Sequence, residues 1–168
     1  MEFYDKLMNY YSYNYDVTND YQLGSRNFDG YCHLDIQNSK YVLVKKAKLW
    51  QANCYEHVFI RKVDEINRDI VKEDLKFIKE YVEPTLVSKG KYPDSNHMYS
   101  YITWIYINSN GTITNVLKDI KKSQFYKNYL FSLRGYCQLR MLAIDLKYQQ
   151  VIGNPAAKSL VKEIRKVL

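Results

Sequence analysis

Cys32-His33, Cys54-Tyr-Glu-His57 and His97 bring thiols and imidazoles together, the side chains that bind zinc. Their spacing argues the other way. Both pairs fall in strand-like runs, where odd-numbered offsets point to opposite faces. Cys32 and His33 therefore diverge, and so do Cys54 and His57. The paired C-x-x-C spacing of a structural zinc site is missing. Catalysis by a cysteine nucleophile needs a thiolate beside a base that a third group orients. Cys32, Cys54 and Cys137 instead sit among apolar residues, where a thiol packs as inert core. These residues predict no metal site and no cofactor. Neither G-x-x-x-x-G-K-[ST] nor G-x-G-x-x-G occurs, and there is no G-x-S-x-G elbow. Asp64, Asp69 and Asp74 read as solvated charges on a surface helix.

Glu56 carries the one enzymatic alternative. The predicted order of helix (2–13), three strands (28–35, 41–50 and 54–63), helix (64–82) and strand (98–107) resembles the core of the PD-(D/E)xK nucleases. That resemblance implies an Asp on the second strand and Glu-x-Lys on the third, with carboxylates on a divalent metal and the lysine polarising water or phosphate. Glu56 lies on the predicted third strand, but Val58 stands where the lysine belongs. The predicted second strand holds Lys45, Lys46 and Lys48 and no acid, and Asp29 and Asp35 fall on or beside the first. The order of elements matches and the motif does not. A related fold would be an inactive or divergent copy, and the balance is against an enzyme.

Cations interleaved with aromatics suggest a binding surface. Lys45, Lys46, Lys48, Trp50 and Tyr55 cluster around one turn, and Arg134, Tyr136, Gln138 and Arg140 are expected to line one strand face. Such groups can hold phosphates and stack bases. An ordinary sheet face whose Lys and Arg stems cover apolar surface gives the same pattern. The candidate ligand-binding residues are Lys45, Lys46, Lys48, His97, Arg134 and Arg140.

The element that would organise such a site is Met98 to Ile107, uncharged and almost entirely aromatic or β-branched. It reads as a central strand covered on both faces. The remaining pattern gives an N-terminal helix over 2–13, a polar loop over 16–27, and strands over 28–35, 41–50 and 54–63. In the last of these Glu56, Val58 and Ile60 share one face, and Tyr55, His57 and Phe59 the other. A helix over 64–82 follows, capped by Asp64 and stopped by Pro84. A shorter helix covers 114–126. Residues 129–146 alternate with period two and favour a long strand bent at Gly135, with a helix as the competing reading. A strand over 149–153 and a helix over 156–168 close the chain. This is an α+β domain: a mixed, largely antiparallel sheet of about five to six strands with three to four helices. Gly-Tyr-Cys-x-Leu occurs at 30–34 and again at 135–139, a five-position echo too short to establish a duplication.

Composition sets the surroundings. The 168 residues are 46% hydrophobic and 26% charged, as in a single globular domain. The count of 18 Tyr is unusual, and A/T-rich codons account for it as readily as function does. Three cysteines and an acid-containing N-terminus without an apolar leader predict free thiols in the cytoplasm. No run reaches the ~18 apolar residues of a membrane helix, so no membrane insertion is expected. The net charge of +7 tilts the ligand expectation towards anions.

Phe28-Asp-Gly-Tyr with Lys40 to Ala47, Val82-Glu-Pro84 with His97-Met98, and Arg134-Gly135 with Leu142-Ala-Ile-Asp-Leu146 carry a second resemblance. It is to an uncharacterised family of small proteins, a domain of unknown function seen chiefly in low-GC Gram-positive bacteria. That resemblance implies a self-contained domain and transfers no activity. It singles out Lys45, Lys46, His97, Arg134 and Asp145 for mutation. The sequence leads to a non-catalytic binding or interaction domain with an anionic ligand or a protein partner. The divergent nuclease and a homodimeric structural protein are its alternatives.

Overall fold

The uncharged run lies within β4 (His97–Asn108) in the computed structural model, which describes residues 2–37 and 52–168. β4 has a parallel neighbour on each side, β3 (Asn53–Val63) and β6 (Tyr136–Asp145). Ile102, Trp104 and Tyr106 are buried against one face of the sheet, and Ile105 and Ile107 against the other. A strand paired on both edges and covered on both faces has no place for an unpaired charge, which is why this run carries none.

From β3 the sheet continues antiparallel through β2 (Arg26–Gln37) to β1 (Asp16–Leu23), the edge strand among the described residues. Beyond β6 come β5 (Tyr126–Asn128) and β7 (Gln150–Gly153), both antiparallel to β6. The fold is therefore α+β, and among the described residues it is a seven-stranded mixed and mostly antiparallel sheet packed with four helices. Helices α1 (Phe3–Ser12) and α4 (Lys158–Val167) cover one face through Phe3, Leu7, Tyr11, Leu160 and Ile164. Helices α2 (Arg68–Phe77) and α3 (Leu117–Lys122) cover the other through Val71 and Ile120. Among the described residues no helix is long and apolar enough to cross a membrane.

The stretch expected as a polar loop over 16–27 is the β1–β2 hairpin, turning at Gly24, whose φ is +59°. It reads as a loop because an edge strand open to solvent has no apolar face to show periodicity: Asp16 to Asp20 are all exposed. The helix expected over 64–82 begins later and ends later. Asn67, not Asp64, caps it, its side chain accepting from the amides of Asp69 and Ile70 at 3.0 Å. Past Phe77 it widens into a π-helix, Ile78–Val87, that carries Pro84 inside it. Buried positions at Ile78, Val82, Glu83 and Val87 recur every four to five residues, the period of i→i+5 bonding.

The helix expected over 114–126 is a 3-10 turn at Ile113–Val116 followed by α3, which stops at Lys122; Tyr126–Asn128 is strand. The strand reading of 129–146 holds from Tyr136 onward. Before it the chain makes a left-handed turn, with φ of +50°, +53° and +69° at Leu130, Phe131 and Ser132. Gly135 closes that turn at φ +68°, and a Cβ there would lie 2.0 Å from the Met98 carbonyl oxygen. The expected strand over 41–50 lies outside the described residues.

Asp74 is a clear departure from expectation. It is not a solvated charge but is 1% exposed, on the inward side of α2. Its carboxylate accepts from Arg26, Arg61, the Trp104 indole N–H (3.1 Å) and the Tyr106 hydroxyl (2.7 Å). Two guanidinium groups and two neutral donors satisfy the buried charge that α2 carries inward. Asp145, also buried, accepts from the amides of Ile113 (3.3 Å) and Tyr148 (3.0 Å), a structural role.

On the outer edge of β6, β5 pairs only with residues 136–138 and β7 only with 142–145. Asn154 fills the space between. Its side chain accepts from the Met141 amide (3.2 Å) and donates to the Leu139 carbonyl (3.0 Å), while its own amide donates to the Met141 carbonyl (2.9 Å).

Candidate functional site

Alternation on three neighbouring strands places all three histidines of the chain in one cleft. β2 contributes Tyr31, His33 and Asp35, β3 contributes Tyr55 and His57, and β4 contributes His97 and Ser100. The end of the π-helix and the turn after it form the opposite wall, including Leu86, Lys89 and Asp94. The cleft encloses about 470 Å³, within the ~300–1,000 Å³ range of small-molecule sites.

His33 and His57 are direct partners across β2 and β3, with ring centroids 4.8 Å apart and planes within 23°. That separation is the strand spacing itself, so the rings stand upright on the sheet and turn their edges towards the cleft. Tyr31 continues the ladder against His57 at 6.1 Å, and Tyr55 stacks on His97 at 6.1 Å. The edges of such rings carry nitrogens and hydroxyls, so the floor of the cleft is polar while the rings' faces are spent on one another.

Burial favours the neutral forms of His57, His97 and Tyr31. Burial, helped by His33 and then Lys89, lowers His57 from 6.5 to about 3. Its Nδ1 is hydrogen-bonded to the Tyr31 hydroxyl at 2.7 Å, and burial pushes the ionisation of Tyr31 up. Burial also lowers His97, partly offset by the Arg134 carbonyl and Asp94. Nδ1 of His97 donates to that carbonyl at 2.6 Å, which leaves Nε2 to accept from the Ser100 hydroxyl at 2.8 Å. Each of these groups offers donors or acceptors without net charge. The ionic groups, Asp35, Asp94 and Lys89, belong to the lining as well.

The candidate residues divide. His97 lies in the cleft, and Arg134 sits beside it, its carbonyl fixing His97 and its guanidinium donating to Pro93 O at 3.3 Å. Arg134 precedes Gly135 and is not on the strand, so it does not share a face with Arg140 as expected. Arg140, with Gln138 and Tyr136, lies on the opposite side of the sheet, where its guanidinium carbon is 3.4 Å from the Tyr101 ring centroid. Lys45, Lys46 and Lys48, with Trp50, lie outside the described residues. The spacing of His33 and His57 fails for zinc, and their i, i+2 alternation with Tyr31 and Tyr55 is the signal in the sequence for a shared face.

Cys32 is buried between α1 and the sheet, away from His33, as alternation predicts. Burial, then Glu56, raises its thiol to about 12, and burial raises that of Cys137. Both are packed thiols. Among the described residues no group of three His, Cys, Asp or Glu side chains is placed to hold a metal ion. Glu56 is 7% exposed and accepts from Tyr15 (2.7 Å), Thr103 (2.5 Å) and Arg140 (3.4 Å). Asp35 pairs with Tyr55 and Leu34 with Glu56, so Asp35 and Glu56 face opposite sides of the sheet.

The chain matches over residues 1–166 the model of a family described as a domain of unknown function (DUF8052), and it belongs to that family. No curated protein matches it, and no solved structure does.

Proposed function

We propose that this chain is a non-catalytic binding domain whose ligand site is the cleft over β2, β3 and β4. The observation that carries the reading is the row of imidazole and phenol edges lining a cavity of about 470 Å³. Such a floor suits a small planar molecule with donors and acceptors around its own edge, of the nucleobase or related heteroaromatic class. The overall charge of +7 draws anions to the protein, but Asp35 and Asp94 against Lys89 leave the cleft lining with an excess of one negative charge, which favours the uncharged base or nucleoside over the nucleotide. The reading is consistent with a cytoplasmic location, where such ligands are abundant.

Thermal shift tests it, with free bases, nucleosides and nucleotides as probes at low and high salt. A ligand that binds only the folded state raises the melting temperature. The expected result is a rise with at least one of these probes, lost in a His33→Ala variant that melts normally without ligand. His33 is partly exposed, and its ring is one wall of the stack. No rise with any probe, or a rise unchanged in that variant, refutes the cleft as the site.

A further inference from the structure

A second cavity of about 470 Å³ lies on the opposite face of the sheet, between α1 and α4. Tyr10, Tyr11 and Tyr15 form one wall, Glu56 and Arg140 the floor, and Ser159 and Glu163 the far side. The floor is already organised. Tyr15, Thr103 and Arg140 all donate to Glu56, and Tyr101 packs flat on the guanidinium. Across the cavity Tyr10 donates to Glu163 at 2.9 Å.

Two buried polar atoms stand apart from these bonds: the hydroxyl of Tyr11 and Nε of Arg140. Tyr11 is 2% exposed, and burial holds its hydroxyl protonated, as a donor. An arginine Nε–H can only donate. Leaving a buried donor unpaired is unfavourable, and both residues line the same cavity. A ligand that presents acceptor oxygens to both would pair them.

Charge narrows the class. Glu56 and Glu163 against Arg140 leave the lining with an excess of one negative charge, which disfavours a phosphate or another dianion. The need for acceptors disfavours an ammonium ligand. Hydroxyl groups meet both conditions, since each donates to a carboxylate and accepts from a phenol or guanidinium. Tyrosine rings supply apolar faces for the carbon skeleton between them.

We propose that this cavity binds a neutral, hydroxyl-rich ligand of monosaccharide size, whose oxygens accept from the Tyr11 hydroxyl and Arg140 Nε. The site is separate from the histidine cleft and does not depend on it.

The test is an NMR titration of the whole chain with glucose, galactose, N-acetylglucosamine and mannitol, with inorganic phosphate and choline as counter-probes. At least one neutral hydroxylated probe binds, and resonances of α1 and α4 shift rather than those of the cleft. Tyr11→Phe weakens that binding about five- to tenfold, the loss of one buried hydrogen bond. Its melting temperature does not fall, because the hydroxyl removed has no partner to lose. Arg140→Lys, which keeps the charge beside Glu56 but not Nε, weakens binding as well. The proposal is overturned by no binding of any neutral probe, by phosphate or choline binding in preference, or by an affinity that Tyr11→Phe leaves unchanged.

Discussion

His57 makes the stability of this protein depend on pH in a way that one substitution isolates. In the folded state burial lowers it from 6.5 to about 3. Between those values only the unfolded chain takes up the proton, so acid draws the equilibrium towards unfolding. The stability is fully present above pH 6.5 and is lost progressively as pH falls towards 3. Each pH unit below 6.5 costs about 1.4 kcal/mol. Going from pH 7.5 to 4.5 therefore removes about 2.7 kcal/mol through this residue alone. Other groups titrate over the same range, so the measurement is a difference. Urea unfolding of the parent and of His57→Asn is followed at both pH values. Asparagine keeps an acceptor near the Tyr31 hydroxyl and has no proton to gain. The parent should lose about 2–3 kcal/mol more than the variant between pH 7.5 and 4.5. Equal losses, within ~0.5 kcal/mol, refute the reasoning. They would mean that the folded cleft accepts the proton, with Asp35 or Asp94 compensating the charge.

Two further substitutions test the framework. Asp74→Ala strands Arg26, Arg61, Trp104 and Tyr106 without their shared acceptor. It should cost about 3–5 kcal/mol in chemical denaturation, and a loss below ~1 kcal/mol would show that the arginines reach solvent instead. Gly135→Ala forces a Cβ to 2.0 Å from the Met98 carbonyl at a φ of +68°, and should cost more than about 2 kcal/mol. Gly90→Ala, at φ +94° with nothing within 4 Å, should cost only about 1 kcal/mol. The two falling together would show that the close approach at Gly135 is not felt.

What the sequence made legible follows from whether a residue's role is local. β4 was readable because ten successive residues obey the chemistry of a doubly covered strand. β6 was readable because Cys137, Leu139 and Met141 alternate with polar neighbours that face a different layer. β1 was not, since an edge strand in solvent leaves no pattern in apolar residues. The continuation of α2 through Pro84 was hidden for another reason. A prolyl residue is a stop signal for an α-helix, but a π-helix bonds to other partners and runs past it. Asp74 was read as solvated because its four donors come from β2, β3 and β4, which only the tertiary structure brings together. The histidine cleft lies between these cases. Alternation gave the faces of Tyr55 and His57, but the pairing of His33 with His57 is a matter of register across the β2–β3 connection. Composition does not encode that register.

The divided cover on β6 has a consequence for the molecule among its own copies. An open strand edge is a template on which a second chain can add its backbone, and repeated addition makes fibres. Among the described residues β5, Asn154 and β7 on this side of the sheet leave no continuous stretch of β6 free to accept a strand. The opposite margin, β1, is longer, but it presents Asp16, Asn19 and Asp20 to solvent, and Asp20 breaks the extended conformation at φ +52°. A single asparagine on one margin and two acids on the other thus guard a strongly hydrophobic sheet against intermolecular growth.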